Sequence, residues 1–240
     1  MILVENNILS SHTKNFDSSV PELSRKSFVR QKKERFSSFS HLFGAVAIIL
    51  GLPLLLVLSY PSVEKIVLSL IYTLSTAFLF FCSSFYHAFK KTENEVSIWR
   101  KFDHIAIFVM IAGTYTPICY LYLDGIWRWG ILAAQWFLVI CGLIFKLFVM
   151  NAPRYITTGI YLLQGWMAVL PIYQLSMKMS VISLILMAFG GILYSIGAII
   201  YNRKKPNPIP DVFGFHEIFH VLILMGAFSH YLVIVLSLVK

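Results

Sequence analysis

The chain has 240 residues, of which 58% are hydrophobic and 13% are charged, and its mean hydropathy is +0.75. This composition excludes an ordinary soluble domain, because a single core of this size cannot bury so much apolar surface. The net charge of +9 does not indicate a nucleic-acid partner, since almost all of the 20 Lys and Arg residues lie in the N-terminal segment and the connections rather than in one stripe.

Apolar runs separated by charged or proline-containing breaks follow one another along the chain, and a helix that spans a hydrocarbon layer of about 30 Å needs roughly 20 residues. The pattern predicts an all-α integral membrane protein with a bundle of seven transmembrane helices. Pro53, Pro117 and Pro171 predict kinks in the first, third and fifth helices. The runs fall at about 41–60, 64–89, 103–122, 127–149, 155–175, 180–201 and 215–239.

The segment before the first run has a different composition. Residues 1–40 are polar, basic and rich in Ser, and they lack the long apolar core of a cleavable signal peptide. We predict a mobile, basic cytoplasmic tail over residues 1–40 and a membrane domain over residues 41–240.

The basic residues near the ends of the runs predict the orientation in the membrane. Alternate connections place 14 Lys and Arg residues on the side of the N-terminus and 4 on the other side, with the distal Lys14 and the intrahelical Lys146 left out. This split predicts a cytoplasmic N-terminus and an external C-terminus in a plasma or inner membrane. Lys146 lies near the cytoplasmic end of the fourth helix, and we interpret it as a structural residue that extends to the interface.

Few ionisable side chains lie inside the predicted spans, and such residues mark function by default. His87 lies near the cytoplasmic end of the second helix, with Ser83 one turn earlier on the same face. Asp103 begins the third helix. His216 and His220 begin the seventh helix four residues apart, so both can contact one ion. The predicted topology brings these residues to one depth of the cytoplasmic leaflet.

Three imidazoles and one oxygen donor form a ligand set that suits Zn²⁺. We therefore predict a zinc site at His87, His216 and His220, with Asp103 bound to the ion directly or through water. An open fourth position that holds water is typical of catalytic zinc. The alternative interpretation is a set of polar residues at helix ends that face the lipid interface.

The segment from His216 to His220 also matches the HExxH motif, whose Glu, here Glu217, is the general base of zinc metalloproteases. Intramembrane metalloproteases combine this motif with the Asp of a later LDG sequence, and Asp124 lies in an LDG sequence. That sequence precedes the histidines, and the predicted topology places Asp124 on the outer side. We favour the interpretation that Glu217 faces the headgroups or pairs with a cytoplasmic lysine.

Three further histidines are interpreted as structural. His230 lies about 21 Å deeper than His216 along the seventh helix, which is too far to share an ion, so it is expected in the core or in a cavity wall. His41 is interpreted as an interfacial residue, with a place beside the metal ligands as the alternative. His104 is expected to point away from Asp103.

Several segments, taken in order, resemble the hemolysin III family, which is related to the progestin and adipoQ receptors and more distantly to the alkaline ceramidases. The resemblance covers about residues 41–240. The segments are SSFYH at 83–87, FDHIAI at 102–107, AGTYTP at 112–117, YLLQGW at 161–166 and the stretch 216–230.

This resemblance implies a seven-helix bundle that holds zinc near the cytoplasmic leaflet through His87, His216 and His220. Asp103 resembles the family Asp that holds or activates the zinc-bound water, and Ser83 resembles the Ser beside the site. The basic N-terminal segment is longer than in many bacterial members.

Three functions are compatible with these residues. In the first, zinc lowers the pKa of its water, Asp103 accepts the proton, and the amide or ester bond of a membrane lipid is hydrolysed. In the second, the protein senses or adjusts the lipid composition of the membrane, and zinc is structural. The third is the pore or cytolysin that the family name implies, which is disfavoured because the ionisable residues cluster at one end of the bundle.

Overall fold

The structure, a computed structural model, describes residues 22–92, 95–209 and 213–239, with side chains from Lys33 onward. Within these residues the chain is helical, and its only extended pairing is an isolated bridge between Ile209 and Phe213. The helices are α1 (Glu22–Ser59), α2 (Val63–Phe89), α3 (Ile98–Tyr122), α4 (Gly125–Phe148), α5 (Arg154–Gly165), α6 (Ile172–Lys178), α7 (Val181–Arg203) and α8 (Phe215–Val239).

Six of these helices, α1 to α4, α7 and α8, are long and apolar enough to cross a membrane. The pair α5 and α6, joined by the 3-10 turn Trp166–Val169, is bent by 53° and adds a seventh span if it is counted as one broken helix. Pro171 lies at this break and confirms the expected kink, because proline cannot donate the hydrogen bond that a continuous helix needs. Helices α1 and α3 run without a break through Pro53 and Pro117.

The outer surface of the bundle is apolar, as a lipid-facing surface must be. Large side chains are exposed along it, including Leu50 at 72%, Val57 at 73% and Phe148 at 83%. A soluble protein rarely exposes so much contiguous apolar surface. Together with the lengths of the helices, this surface confirms a multi-pass, all-α membrane protein, whereas the orientation of the termini stays a prediction.

The first helix begins earlier than its apolar run. Helix α1 begins at Glu22, and its membrane-spanning part is Lys33–Ser59. The stretch from Glu22 to Phe43 contains neither Gly nor Pro, and its Lys, Arg and Glu residues are good helix formers, so nothing interrupts the helix before the apolar run. Part of the predicted mobile tail is therefore helical, and residues 1–21 lie outside the described residues.

The helix directions bring seven helix ends together at one end of the bundle. These are the starts of the spanning part of α1, of α3, of α5 and of α8, and the ends of α2, α4 and α7. Farther along the bundle, α2 and α3 approach so closely that a β-carbon at Gly113 would lie 1.8 Å from Ser75 Oγ, and glycine permits this packing. The end at which the seven helix ends meet carries the candidate site.

Candidate metal centre

Three histidines from two distant segments meet at this end of the bundle. His87 lies in the last turn of α2, and His216 and His220 lie one turn apart at the start of α8. The Nε2 atom of His216 is 3.3 Å from Nε2 of His87 and 3.2 Å from Nε2 of His220. The convergence expected from the sequence is therefore present, and one nitrogen of each ring lies within 4.8 Å of the other two.

The spacing of these nitrogens fits a metal ion. Tetrahedral zinc with Zn–N bonds of roughly 2.0–2.1 Å separates its ligand nitrogens by about 3.3 Å, which matches both measured contacts. His87 is 4% exposed and His220 is 1% exposed, whereas His216 is half-buried, so two of the three donors are held away from solvent. The histidine cluster, defined here as His87, His216 and His220, is therefore compatible with a bound metal.

A carboxylate fixes the orientation of one ring of the histidine cluster. His87 donates its Nδ1–H to Glu34 Oε2 at 2.6 Å, and the other oxygen of Glu34 accepts from Lys90. A hydrogen bond at Nδ1 leaves the lone pair of Nε2 on the side of the cluster, as in the carboxylate–histidine–metal arrangement of many metalloproteins. The sequence analysis missed Glu34, because it assigned this residue to the tail.

His41 also belongs to the surroundings of the cluster. Its ring stacks on that of His220, with centroids 3.9 Å apart and planes 36° apart. The residue is 3% exposed, and its ring nitrogens make at most a weak contact with the backbone of His220. The interpretation of His41 as an interfacial residue was wrong, because its ring packs on His220 of α8; the alternative, a place beside the metal ligands, agrees with the structure. Glu34 lies two turns before His41 on the same face of α1.

The predicted oxygen donor Asp103 and Ser83 lie on the walls of a cavity that the histidine cluster also lines. Tyr86 and Tyr201 are neighbours of the Asp103 carboxylate, and their rings lie 5.0 Å from His87 and 5.9 Å from His216, respectively. Asp103 is not among the donors that lie within 4.8 Å of one another in the histidine cluster. Ser83 is 3% exposed.

His104 does not point away from Asp103, as the sequence analysis expected. Its Nδ1 atom is 3.6 Å from Asp103 Oδ2 and 2.8 Å from the carbonyl oxygen of Arg100. The first turn of α3 brings the two side chains to the same cavity wall. His104 therefore places an imidazole beside Asp103, the candidate base.

Glu217 caps the helix that carries two of the histidines. Its side chain is 1% exposed, and Oε2 accepts a hydrogen bond from the backbone N–H of Gly214 at 2.7 Å. A carboxylate at this position satisfies an orphan donor and interacts favourably with the helix dipole. The expectation that Glu217 faces the headgroups or pairs with a lysine was wrong.

Asp124, the acidic residue of the LDG sequence, does not lie near the histidine cluster. Asp124 is at the opposite end of the bundle, between α3 and α4, where its carboxylate pairs with Arg128 and Lys178. The hydrogen bond from Lys178 holds the pKa of the Asp124 carboxyl below its usual range. The HExxH and LDG sequences therefore do not form one site.

A cavity of about 2050 Å³ extends from the cluster into the bundle. Its deeper walls are mainly apolar and include Ile107, Met110 and Ile223, and it continues to His230. The ring of His230 makes at most a weak contact with the backbone of Met187, and it lies in close contact with Gly190. His230 therefore lines the cavity, which is one of the two positions, core or cavity wall, that the sequence predicted.

Lys146 was expected to extend to the membrane interface, and this expectation was wrong. The residue is 1% exposed and lines the cavity near the cluster. Its Nζ atom donates to Thr157 Oγ1 at 2.9 Å. Thr157 of α5 faces Lys146, so the ammonium group turns toward the cavity rather than outward.

Comparison with known proteins agrees with this architecture. The family model described as Haemolysin-III related matches residues 29–231. The chain is 32% identical to the hemolysin-3 homolog of Bacillus subtilis (strain 168), over 87% of this chain and 96% of that protein. It is 32% identical to hemolysin-3 of Bacillus cereus, over 82% and 87%. It is 29% identical to the adiponectin receptor protein of Drosophila melanogaster, over 86% of this chain and 51% of the receptor.

Proposed function

The chain belongs to the haemolysin-III related family, and from that premise we propose that it is a zinc-dependent hydrolase that cleaves an amide or ester bond of a membrane lipid. The observation that carries this proposal is the buried histidine cluster at the polar end of an otherwise largely apolar cavity. A site that is polar at one end and apolar along its length suits a lipid, whose scissile bond would lie near the headgroup.

The residues around the cluster supply the roles that hydrolysis needs. Bound zinc supplies a Lewis acid that polarises a carbonyl and lowers the pKa of water. Asp103 accepts a proton at its carboxylate, and Ser83 offers a hydroxyl to the lipid from the α2 wall, one turn before His87. Glu34 holds the His87 ring in one tautomer and one orientation, so the ligand geometry does not depend on solvent.

The lipid enters from the bilayer, because the cavity lies between helices whose outer faces are apolar. On the predicted orientation, the cluster lies in the cytoplasmic leaflet. Labelling of single introduced cysteines with an impermeant reagent in intact cells tests this orientation. We expect a cysteine placed after Lys240 to react and one placed in residues 1–21 to stay unlabelled.

A second candidate function is lipid sensing with structural zinc. Its support is that one ion at the histidine cluster would link α2 and α8, while Glu34 and His41 attach α1 to His87 and His220. Under this alternative no bond is cleaved. The hydrolase and the lipid sensor can therefore be distinguished, because only the hydrolase releases fatty acid.

The test uses the purified full chain with ceramides and other lipid amides and esters, and it measures zinc content and released fatty acid. We expect about one zinc per chain and release that requires it. Asp103→Asn should retain zinc, since the three histidines remain, and should abolish release. Release that is unaffected by Asp103→Asn and by zinc removal would contradict the hydrolase, and zinc without any release would favour lipid sensing.

A further inference from the structure

Lys146 is a buried cation, and the side chains that the structure describes give it no acidic partner. It lies in the last turn of α4, as His87 lies in the last turn of α2, so both are at the same end of the bundle. The ammonium group is 5.0 Å from the Phe145 ring and donates to the neutral hydroxyl of Thr157. Within residues 33–92, 95–209 and 213–239, no carboxylate forms an ion pair with Lys146.

The acidic residues of the same cavity are already engaged. Glu34 pairs with His87 and Lys90, Glu217 caps α8, and Asp103 lies beside His104. Six cationic side chains line this cavity together with these three acids. They are Lys33, Lys90, Arg100, Lys146, Arg154 and Lys204.

The surroundings of Lys146 make its positive charge costly. Its charged neighbour Arg100 repels the ammonium group, and the Thr157 hydroxyl satisfies one donor without neutralising the charge. A buried charge is stable when an opposite charge lies next to it. No residue in the described part of the chain supplies such a charge, so an anion that enters the cavity would complete the arrangement.

We propose that the cavity binds an anionic lipid whose headgroup phosphate pairs with Lys146 while its acyl chain follows the apolar wall toward His230. This inference rests on the proposed function, since it names the headgroup chemistry of the lipid that occupies the same cavity. Arg100 lines the same cavity. Its Nη1 donates to the Glu95 carbonyl oxygen and to Asn151 Oδ1, and its other N–H groups remain as planar donors for the phosphate oxygens.

The shape of the cavity favours a lipid phosphate over free phosphate. A volume of about 2050 Å³ is far larger than one phosphate ion needs. The walls beyond Lys146 include Ile107, Met110 and Leu184, which offer contacts to an acyl chain and none to an inorganic ion. The hydrophobic contribution of these walls is available to a lipid alone.

The experiment is native mass spectrometry of the full chain in detergent, offered phosphatidylglycerol or phosphatidylcholine with matched acyl chains. We expect the wild type to retain phosphatidylglycerol about tenfold better, and Lys146→Met to lose this preference. Lys146→Arg should keep it. Lys91→Met, which removes an exposed charge at the same end outside the cavity, is the matched control and should also keep it.

Two outcomes would overturn the proposal. One is an unchanged preference in Lys146→Met, and the other is equal competition by inorganic phosphate, which would assign the site to a free anion. A measurement on the wild type covers the case in which Lys146→Met does not fold. Phosphatidylglycerol should raise the Tm and phosphatidylcholine should not, because a ligand that binds the folded state stabilises it.

Repeating the measurement on zinc-free protein and on His220→Ala separates this inference from the proposed function. The headgroup preference does not require the histidine cluster, so it should persist in both samples. A preference that persists in both samples, together with no lipid hydrolysis by the zinc-loaded wild type, would contradict the hydrolase alone. Zinc-dependent hydrolysis by the wild type, together with no effect of Lys146→Met on phosphatidylglycerol retention, would contradict the headgroup site alone.

Discussion

His220 and His230 lie on the same helix and line the same cavity, yet they have different surroundings. The ring of His220 meets three other imidazoles, those of His41, His87 and His216. The ring of His230 meets Tyr194, with centroids 5.4 Å apart, and contacts no other histidine in the part of the chain that the structure describes. The first environment offers several donors to one ion, and the second offers one.

This difference shows what makes a histidine a candidate ligand in a membrane bundle. Burial is common to both residues, so burial alone does not identify a metal site. What distinguishes His220 is the meeting of helix ends from α1, α2 and α8, which brings donors from distant segments within a few ångströms. His230 lies too deep in α8 for these ends to reach it.

The largest expected effect is on zinc occupancy. His220→Ala removes one of three ligands, so we expect it to weaken zinc binding by about a thousandfold or more. His230→Ala is the matched variant on the same helix and should retain about one zinc per chain. Metal analysis of the purified proteins makes the comparison.

Equal zinc loss in the two variants would break the distinction between the two environments. The Tm gives a second readout, because an ion that links α2 and α8 stabilises the folded state. Zinc should raise the Tm of the wild type and of His230→Ala, and it should not raise that of His220→Ala.

A smaller effect is expected at Glu34, which acts on zinc through His87. Glu34→Ala removes the acceptor of the Nδ1–H group, so we expect zinc affinity to fall by roughly 10–100-fold. Glu34→Gln retains an acceptor oxygen and should lose less. Zinc titration against a competing chelator measures both, and an affinity in Glu34→Ala equal to that of the wild type would show that the contact does not position His87.

Glu34 also shows why the sequence predicted the histidine cluster but not the carboxylate that orients His87. Intramembrane histidines are rare, so His87, His216 and His220 were visible from hydropathy and helical spacing alone. Glu34 lies in a polar, basic stretch whose composition is typical of a solvated tail. The signal that could have found it is the absence of Gly and Pro up to Phe43, which lets α1 extend and carry Glu34 to the cluster.

The misjudged direction of Lys146 has a different origin. Its position in the last turn of α4 suggested a side chain that reaches the interface, because long basic side chains near helix ends commonly do so. Its actual direction depends on the α5 segment, where Thr157 faces it. The packing of a broken helix against α4 is a tertiary feature that hydropathy does not encode. The number of spans and the break at Pro171 were, by contrast, predictable.

A third prediction concerns the stability of α8 rather than zinc. Glu217→Ala removes the acceptor of the Gly214 N–H group, so we expect the free energy of unfolding to fall by about 1 kcal/mol. Glu217→Gln retains an acceptor oxygen and should change little. Both variants should keep zinc and lipid release. Abolished release with retained zinc in Glu217→Gln would support the metalloprotease-like role of Glu217 instead.

The smallest effect is expected at Asp124, the residue that the LDG sequence offered as a partner of HExxH. Its carboxylate is exposed and pairs with Arg128 and Lys178 at the end of the bundle opposite the histidine cluster. Exposed ion pairs of this kind contribute little to stability, and the distance excludes any contact with the ion. Asp124→Asn should therefore leave zinc content, fatty-acid release and Tm unchanged. Loss of zinc in this variant would mean that the two ends of the bundle are coupled. The difference between His220 and His230 could then not be explained by their distance from the other histidines alone.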